Sequence, residues 1–240
     1  TRYFSSAASD VYKRQGFNNM NDSISKTLAV AFSICLICSL VVSVAAVSLR
    51  DMQNENKAND KKIKILQAAR IYDSNVDVKE QFDQLEVMYL DFNKGEVLKN
   101  DVLESFLLEH KNDYDQLSAT RKEEYSTKLN TSEDIAIIKS RENVGKFFLL
   151  RNEDQTIDKV ILPIRGYGLW GTLFGYISIE EDFNTIAGLE FYDHKETPGL
   201  GAEVDNPKWK SQWPGKKIFI DNDVSIEVIN GKVDPDDVNI

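Results

Sequence analysis

The most continuous hydrophobic segment of the chain runs from Leu28 to Leu49, where 22 residues carry no charged side chain. A helix of this length spans roughly 33 Å at about 1.5 Å per residue, which is enough for a bilayer core of about 30 Å. Residues 43–45 also resemble a signal-peptide cleavage site, but the apolar region of a signal peptide usually runs only about 7–15 residues. A buried core helix fits less well, because no face is polar enough to meet water. We therefore predict an uncleaved transmembrane helix over 28–49.

The flanking segments have different patterns. Residues 1–19 show no periodicity and no initiator methionine, so we expect non-native or disordered sequence there, with Met20 as a plausible start. Residues 50–71 are polar apart from a narrow apolar stripe formed by Ile63, Leu66 and Ala69. This spacing predicts a helical stalk whose stripe docks on the following domain or on a neighbour.

From about residue 80 the pattern changes to short alternating or apolar runs separated by turn residues, which predicts one domain over 80–240. Strands are predicted over 85–91, 144–151, 157–165, 173–179 and 185–193, and a last pair over 217–220 and 225–229. Residues 100–134 show no clear period, and 202–213 are expected to be a short helix or irregular. Helix followed by antiparallel strands predicts the α+β class, with one N-terminal transmembrane helix tethering the domain.

Composition excludes several kinds of partner. Lys and Arg number 29 against 39 Asp and Glu, a net charge of −10, which argues against nucleic acid and against general affinity for anionic membrane surfaces. The cysteines are Cys35 and Cys38, both inside the apolar run, so no disulfide framework is predicted. Their C-x-x-C spacing could supply half of an iron–sulfur site if another chain gave two more thiolates. Packing of two small buried residues is the favoured interpretation.

The two histidines offer little metal chemistry. His110 stands alone in a charged stretch and is expected to be a solvated surface residue rather than a ligand. His194 and Glu196 lie two residues apart and could share one face of a strand. No third ligand is evident, so we expect His194 to hold the loop by bonding a neighbouring backbone group, and we predict no metal site.

Two glycine-rich runs are the candidates for ligand binding. Residues 166–171 read G-Y-G-L-W-G, and residues 194–204, H-K-E-T-P-G-L-G-A-E-V, interrupt a predicted strand. Pro198 cannot donate to a sheet, and Gly199 tolerates backbone angles that a side chain forbids. Such a loop lets a flat ligand approach the main chain, although a simple tight turn has the same composition.

The chain carries two motifs in succession, G-x-G-L-W-G and D-x-x-T-I-x-G-x-x-F-Y-x-H-x-E-T-P-G-L-G. Taken together, they resemble the FMN-binding domain of the C subunit of the sodium-translocating NADH:quinone reductase. The match is nearly residue by residue from Asp182 to Gly201, and the resemblance extends over the membrane segment and the stalk. It implies a flavin-bearing electron-transfer protein that relays electrons through FMN from NADH toward quinone, coupled to Na⁺ export. It also implies a bacterial inner membrane location, with membrane lipid and the other membrane subunits of the complex as partners.

Residue by residue, the resemblance implies that Glu196, Thr197, Gly199 and Leu200 contact the flavin. Thr197 would meet the polar edge of the ring, Leu200 its face, and Gly199 would permit close approach. The family esterifies the FMN phosphate to a threonine in an S-G-A-T motif, which this sequence lacks; residues 117–120, L-S-A-T, lack the glycine and precede the loop. We therefore expect a C-terminally truncated fragment whose attachment threonine lies beyond Ile240.

Two signals disagree on which side of the membrane the domain lies. Lys and Arg are more numerous after the span than before it, which would leave the domain in the cytoplasm. The resemblance instead implies a periplasmic domain, and it is the more specific signal.

No G-x-G-x-x-G opens a βαβ unit, so direct NADH binding by this chain is not expected. The alternatives are the homologous flavin subunit of the ferredoxin:NAD electron-transport complex and a membrane-tethered binding module without a redox role.

Overall fold

The computed structural model describes residues 23–229 and 231, which fall into two compact units that divide between residues 56 and 57. Two of the sequence predictions fall outside the described residues. One is the non-native segment over residues 1–19. The other is truncation at Ile240, the residue beyond which the attachment threonine is expected, and it stays a prediction.

Helix α1, Ile24–Ser48, dominates the described part of the first unit. Its 25 residues give a length of roughly 37 Å, and the helix is long and apolar enough to cross a membrane. The hydroxyls of Ser39 and Ser48 donate to backbone carbonyls three residues earlier, at 2.9 and 3.1 Å. The helix therefore satisfies these polar groups internally, as a bilayer requires.

Helix α2, Arg50–Ala68, follows after a break at Leu49, and its C-terminal part belongs to the second unit. The remaining helices are short: α3 Val78–Phe82, α4 Asn100–Glu109, α5 Gln116–Ala119, a 3₁₀ helix Gly201–Asp205 and α6 Pro207–Lys210. The strands are β1 Leu85–Asp91, β2 Glu96–Val97, β3 Ser126–Lys128, β4 Ser140–Glu142, β5 Val144–Arg151, β6 Ile157–Tyr167, β7 Thr172–Glu180, β8 Ile186–Asp193, β9 Phe219–Ile220 and β10 Asp223–Val224.

The central sheet has six antiparallel strands in the order β2-β1-β5-β6-β7-β8. The strands predicted over 85–91 and 144–151 have the bounds of β1 and β5. The predicted α+β class with one N-terminal apolar helix is confirmed.

The predicted last strand over 225–229 is wrong. Asp221 and Asn222 have φ of 50° and 71°, so they form a two-residue hairpin connection between β9 and β10. A connection of this kind fixes the pairing at its two flanking residues, which places the second strand at 223–224.

Helix α2 packs on one face of the sheet and forms the main core. The stalk stripe contributes Leu66 and Ala69, both with no exposed surface, and their neighbours Ile65 and Ala68 are buried as well. They pack against β1, β5, β6 and β7 through Leu85, Phe148, Leu150, Ile161 and Tyr176.

Gly188 explains how closely this helix approaches. A Cβ at Gly188 would lie 2.3 Å from the carbonyl oxygen of Ala68, so any larger residue at position 188 would push the end of α2 away from β8. This glycine belongs to the T-I-x-G part of the motif, and its role is packing between helix and sheet.

A second, aromatic cluster lies under α4 and α5, and it corrects the prediction for His110. The imidazole is half-buried between the rings of Phe106, Tyr114 and Tyr125, with centroids 4.5, 4.8 and 4.8 Å away. Its Nδ1 lies 2.9 Å from the carbonyl oxygen of Phe106. The prediction of a solvated His110 was wrong because Tyr114 and Tyr125, which cover the imidazole, lie outside helix α4.

Asp182 organises the connection from β7 to β8. Its Oδ1 accepts from the backbone N–H groups of Asn184 and Thr185, and its Oδ2 accepts from the Thr185 hydroxyl at 2.6 Å and from Lys217 Nζ at 2.9 Å. These donors, the Thr185 hydroxyl foremost, hold the pKa of the Asp182 carboxyl below its ordinary value of 3.8. The D-x-x-T pair of the motif is therefore a turn-forming device.

We expect Asp182→Asn to lower the free energy of unfolding by about 1–2 kcal/mol at pH 7, because charge-assisted hydrogen bonds are lost. A carboxyl with a lowered folded-state pKa stabilises the fold above its unfolded pKa and stops doing so as pH falls through the folded value. The stability difference between the two proteins should therefore shrink as the pH is lowered from about 5 toward 3. Urea unfolding at pH 5 and at pH 3 measures this stability difference, with the exposed Glu181→Gln as control. A stability difference independent of pH would contradict the lowered pKa of Asp182.

Candidate functional site

The first glycine-rich run forms the loop between β6 and β7. The strands end with the pair Tyr167 and Thr172, and within the loop the Gly168 N–H donates to the Gly171 carbonyl at 2.8 Å. The tip residues Leu169 and Trp170 are 78% and 64% exposed. A tight turn thus presents two large apolar side chains to solvent, which is unusual unless they meet a ligand or a partner.

The second run leaves the end of β8 and is anchored by His194. The backbone N–H of Glu196 donates to His194 Nδ1 at 3.3 Å, and His194 Nε2 lies 2.8 Å from Asp205 Oδ2. With Nδ1 as acceptor, Nε2 carries the proton and donates to the carboxylate. His194 therefore ties the start of the loop to the 3₁₀ helix that follows it.

The side chain of Glu196 joins the two loops. It is only 8% exposed, and its Oε1 accepts from the Trp170 backbone N–H at 3.0 Å. A Cβ at Gly168 would lie 2.5 Å from Oε1, and a Cβ at Gly201 would lie 2.7 Å from Oε2. The carboxylate therefore fills a space that exists only because glycine occupies both positions.

The other three predicted contact residues lie at the surface. The Thr197 carbonyl accepts from the backbone N–H groups of Leu200 and Ala202, both at 3.1 Å, which closes the loop. Leu200 is 73% exposed, and Gly199 has φ of +76° with open space around the position of a Cβ. The structure thus presents Thr197, Gly199 and Leu200 outward, whereas it turns the Glu196 carboxylate inward.

Leu169, Trp170 and the neighbouring Tyr167, 53% exposed, are candidate site residues that the sequence analysis did not assign. The bond from Trp170 N–H to Glu196 places their loop beside the one that carries Leu200. The G-x-G-L-W-G run could have predicted their exposure, because large apolar residues at the tip of a glycine-rich turn cannot be buried by that turn.

The remaining candidates do not join this site. Cys35 and Cys38 lie in α1 with free thiols. Within residues 23–229 and 231, no group of three or more His, Cys, Asp or Glu side chains is arranged to hold a metal ion. In the look-alike motif 117–120, the Thr120 hydroxyl donates to the Leu117 carbonyl at 2.7 Å.

Comparison with known proteins assigns the chain to a family. The family described as FMN-binding domain matches residues 168–238, which include both loops. The C subunit of the Na⁺-translocating NADH-quinone reductase from Vibrio parahaemolyticus is 40% identical over 213 residues, covering 88% of this chain and 80% of the relative. The Pseudomonas aeruginosa protein of the same name is 41% identical over 219 residues, covering 89% and 80%. This chain belongs to the family of C subunits of the Na⁺-translocating NADH-quinone reductases.

Solved structures agree with this assignment. The crystal structure of Shewanella oneidensis NqrC shares 30% identity, with a TM-score of 0.67, and covers 77% of this chain and 82% of that one. The structure of the corresponding Parabacteroides distasonis protein, at 27% identity, has a TM-score of 0.54 and covers 79% and 81%. The predicted family is therefore confirmed: the chain is a flavin electron-transfer subunit of this oxidoreductase complex, and a single-pass membrane protein.

Glycine at position 168 should be required for the contact between the loops. Gly168→Ala places a Cβ against Glu196 Oε1 and Leu173, so the Glu196 carboxylate must shift and the hydrogen bond that joins the loops is weakened. Lys195, whose side chain packs over Gly171, should then be cut by trypsin about tenfold faster or more, since 1.4 kcal/mol of easier opening corresponds to tenfold.

Gly166→Ala is the matched control, because its Cβ would meet only Ala136, at an ordinary 3.7 Å. Mass spectrometry of the fragments measures cleavage after Lys195. Equal rates for the two alanine variants would show that Glu196 does not hold the loops together.

Proposed function

We propose that the two loops form the binding surface for the FMN ring in this protein, with Leu200, Leu169 and Trp170 against its faces and Thr197 at its edge. The proposal rests on one observation: two adjacent loops, joined by a buried carboxylate, each expose large apolar side chains. A flat apolar ring system with a polar edge is the class of ligand that such a surface fits.

The residues fit the cofactor in further respects. Gly199 leaves open space where a side chain would stand, so a flat group can approach the backbone there. The Thr197 hydroxyl makes no hydrogen bond to any residue in the described part of the chain, which leaves it available to the polar edge of a ring. When bound, FMN supplies the redox chemistry, and the protein sets its orientation and surroundings.

Each side chain then has a distinct role. Leu200 and Trp170 remove water from the ring faces, and apolar surroundings of this kind disfavour charge on the ring. Thr197 fixes the orientation of the ring by a hydrogen bond. Glu196 does not touch the ring; it holds the hairpin loop at the correct distance from Leu200 through the Trp170 N–H.

Within the complex, we propose that this protein passes electrons one at a time between partner subunits on the path from NADH to quinone, coupled to Na⁺ export. The names of the relatives support this role, since each is the C subunit of a Na⁺-translocating NADH-quinone reductase. NADH itself would be oxidised by another subunit. Covalent attachment of the flavin phosphate stays a prediction from the resemblance, and the contact of the Thr120 hydroxyl within its own turn argues against that residue as the acceptor.

Truncating the ring contacts should weaken flavin binding. Leu200→Ala removes apolar contact worth about 1.5 kcal/mol, which predicts roughly tenfold weaker binding of FMN to the flavin-free chain. Thr197→Ala should cost about 1 kcal/mol through the lost hydrogen bond. Flavin fluorescence titration measures both, with Ser118→Ala and Thr120→Ala as controls; unchanged affinity in both loop variants would refute this placement of the ring.

We also propose that the domain after α1 faces the periplasm, as the resemblance implies, despite the positive charges that follow the span. Alkaline phosphatase fused after Ile71 should then be active, because this reporter works only in the periplasm. Green fluorescent protein fused at the same place should be dark, because it becomes fluorescent only in the cytoplasm. The reverse result would show that the Lys and Arg distribution sets the topology.

A further inference from the structure

A cleft of about 480 Å³ lies on the sheet face that carries α2, beyond the end of the main core. Its floor is formed by β5 to β8, and its sides by α2, by the start of α5 and by β4 together with Ile138. Leu169, Trp170, Thr197 and Leu200 are not among its lining residues, so it is separate from the proposed flavin surface. We propose that this cleft binds a mononucleotide, that is, a planar aromatic ring carrying a phosphate monoester.

Three cations around the cleft form no salt bridge within residues 23–229 and 231. Lys61, Arg141 and Lys146 line it, and none of them forms a salt bridge in this part of the chain. Arg141 Nε is buried and makes no hydrogen bond among these residues. Lys146 is half-buried, and this burial lowers the pKa of its ammonium, opposed by Asp113 and Asp115. A bound anion would supply a partner for all three cations.

Each of these three cations lies over an aromatic ring. Lys61 Nζ lies 5.2 Å from the ring centroid of Tyr192, Lys146 Nζ lies 5.8 Å from that of Phe148, and Arg141 Cζ lies 4.9 Å from that of Phe92. Cation–π contacts of this kind engage the cations over the ring faces and leave N–H groups able to donate to an anion.

The floor offers a flat apolar surface beside these charges. The rings of Tyr176 and Tyr192 stack with centroids 5.2 Å apart, and Phe174 continues the row 6.0 Å from Tyr192. Burial raises the pKa of Tyr192 to about 12, so the phenol adds no negative charge at neutral pH. A planar ring can stack on this row while its anionic group reaches the cations.

Charge balance favours a phosphate monoester over a carboxylate. The lining holds Lys61, Lys146, Arg141 and Arg165 against Asp115 and Glu142, a balance of +2 in a chain of net charge −10. Glu142 is already bound to Arg165 at 2.7 Å, and Asp115 accepts from the Ser118 N–H at 2.7 Å. A phosphate monoester carries about −1.5 to −2 at pH 7 and three acceptor oxygens, which matches the charges of Lys61, Arg141 and Lys146.

The test is isothermal titration calorimetry of the full chain in detergent with AMP, adenosine and inorganic phosphate. We expect AMP to bind about tenfold more tightly, or more, than either adenosine or phosphate, because the cleft holds ring and phosphate together. AMP binding no tighter than phosphate alone would overturn the proposal.

Variants separate the cleft from other anion-binding surfaces. Lys146→Met and Arg141→Met should each weaken AMP binding about tenfold or more, whereas Lys128→Met, an exposed lysine paired with Glu123 and absent from the lining, should leave it unchanged. Lys146→Met keeps the buried stem, and thermal unfolding verifies that it is folded. Unaltered AMP affinity in folded Lys146→Met would overturn the proposal, and so would an equal loss in Lys128→Met.

Discussion

The buried carboxylate of Glu196 is the contact on which the site depends. A carboxylate removed from water is costly unless hydrogen bonds satisfy it, and here the Trp170 backbone N–H provides one at 3.0 Å. The same side chain fills the space over Gly168 and Gly201, so it fixes the separation of the two loops by sterics as well as by charge. Without it, the loop that carries Leu169 and Trp170 would lose the hydrogen bond that joins it to the loop that carries Leu200.

Most residues of the family motif build this frame. Asp182 and Thr185 form the turn between β7 and β8, and Gly188 lets α2 approach the sheet. His194 ties the loop to the 3₁₀ helix. The motif thus specifies a rigid support at many positions and leaves few side chains, such as Leu200, free to face a ligand.

Local pattern was enough to predict β1 and β5, because β1 alternates along its length and β5 is a short apolar run in which Phe148, Leu149 and Leu150 are all buried. Pattern was not enough for His110, whose covering rings come from Tyr114 and Tyr125 outside the neighbouring helix. The inward turn of Glu196 was also hidden, since its partner Trp170 is 26 residues away.

The cleft leaves the least signal in the sequence. Lys61 and Lys146 are separated by 85 positions, and each looks like an ordinary surface lysine in its own segment. Only the packing of α2 on the sheet brings their charges to one cavity, so charge counting along the chain could not reveal it.

The most direct test of the flavin placement is the crystal structure of the flavin-loaded protein. The account predicts the isoalloxazine ring within about 4 Å of the side chains of Leu200 and Trp170, with Glu196 still bonded to the Trp170 N–H. A ring stacked instead on Tyr176 and Tyr192, with Leu200 and Trp170 left in solvent, would contradict it.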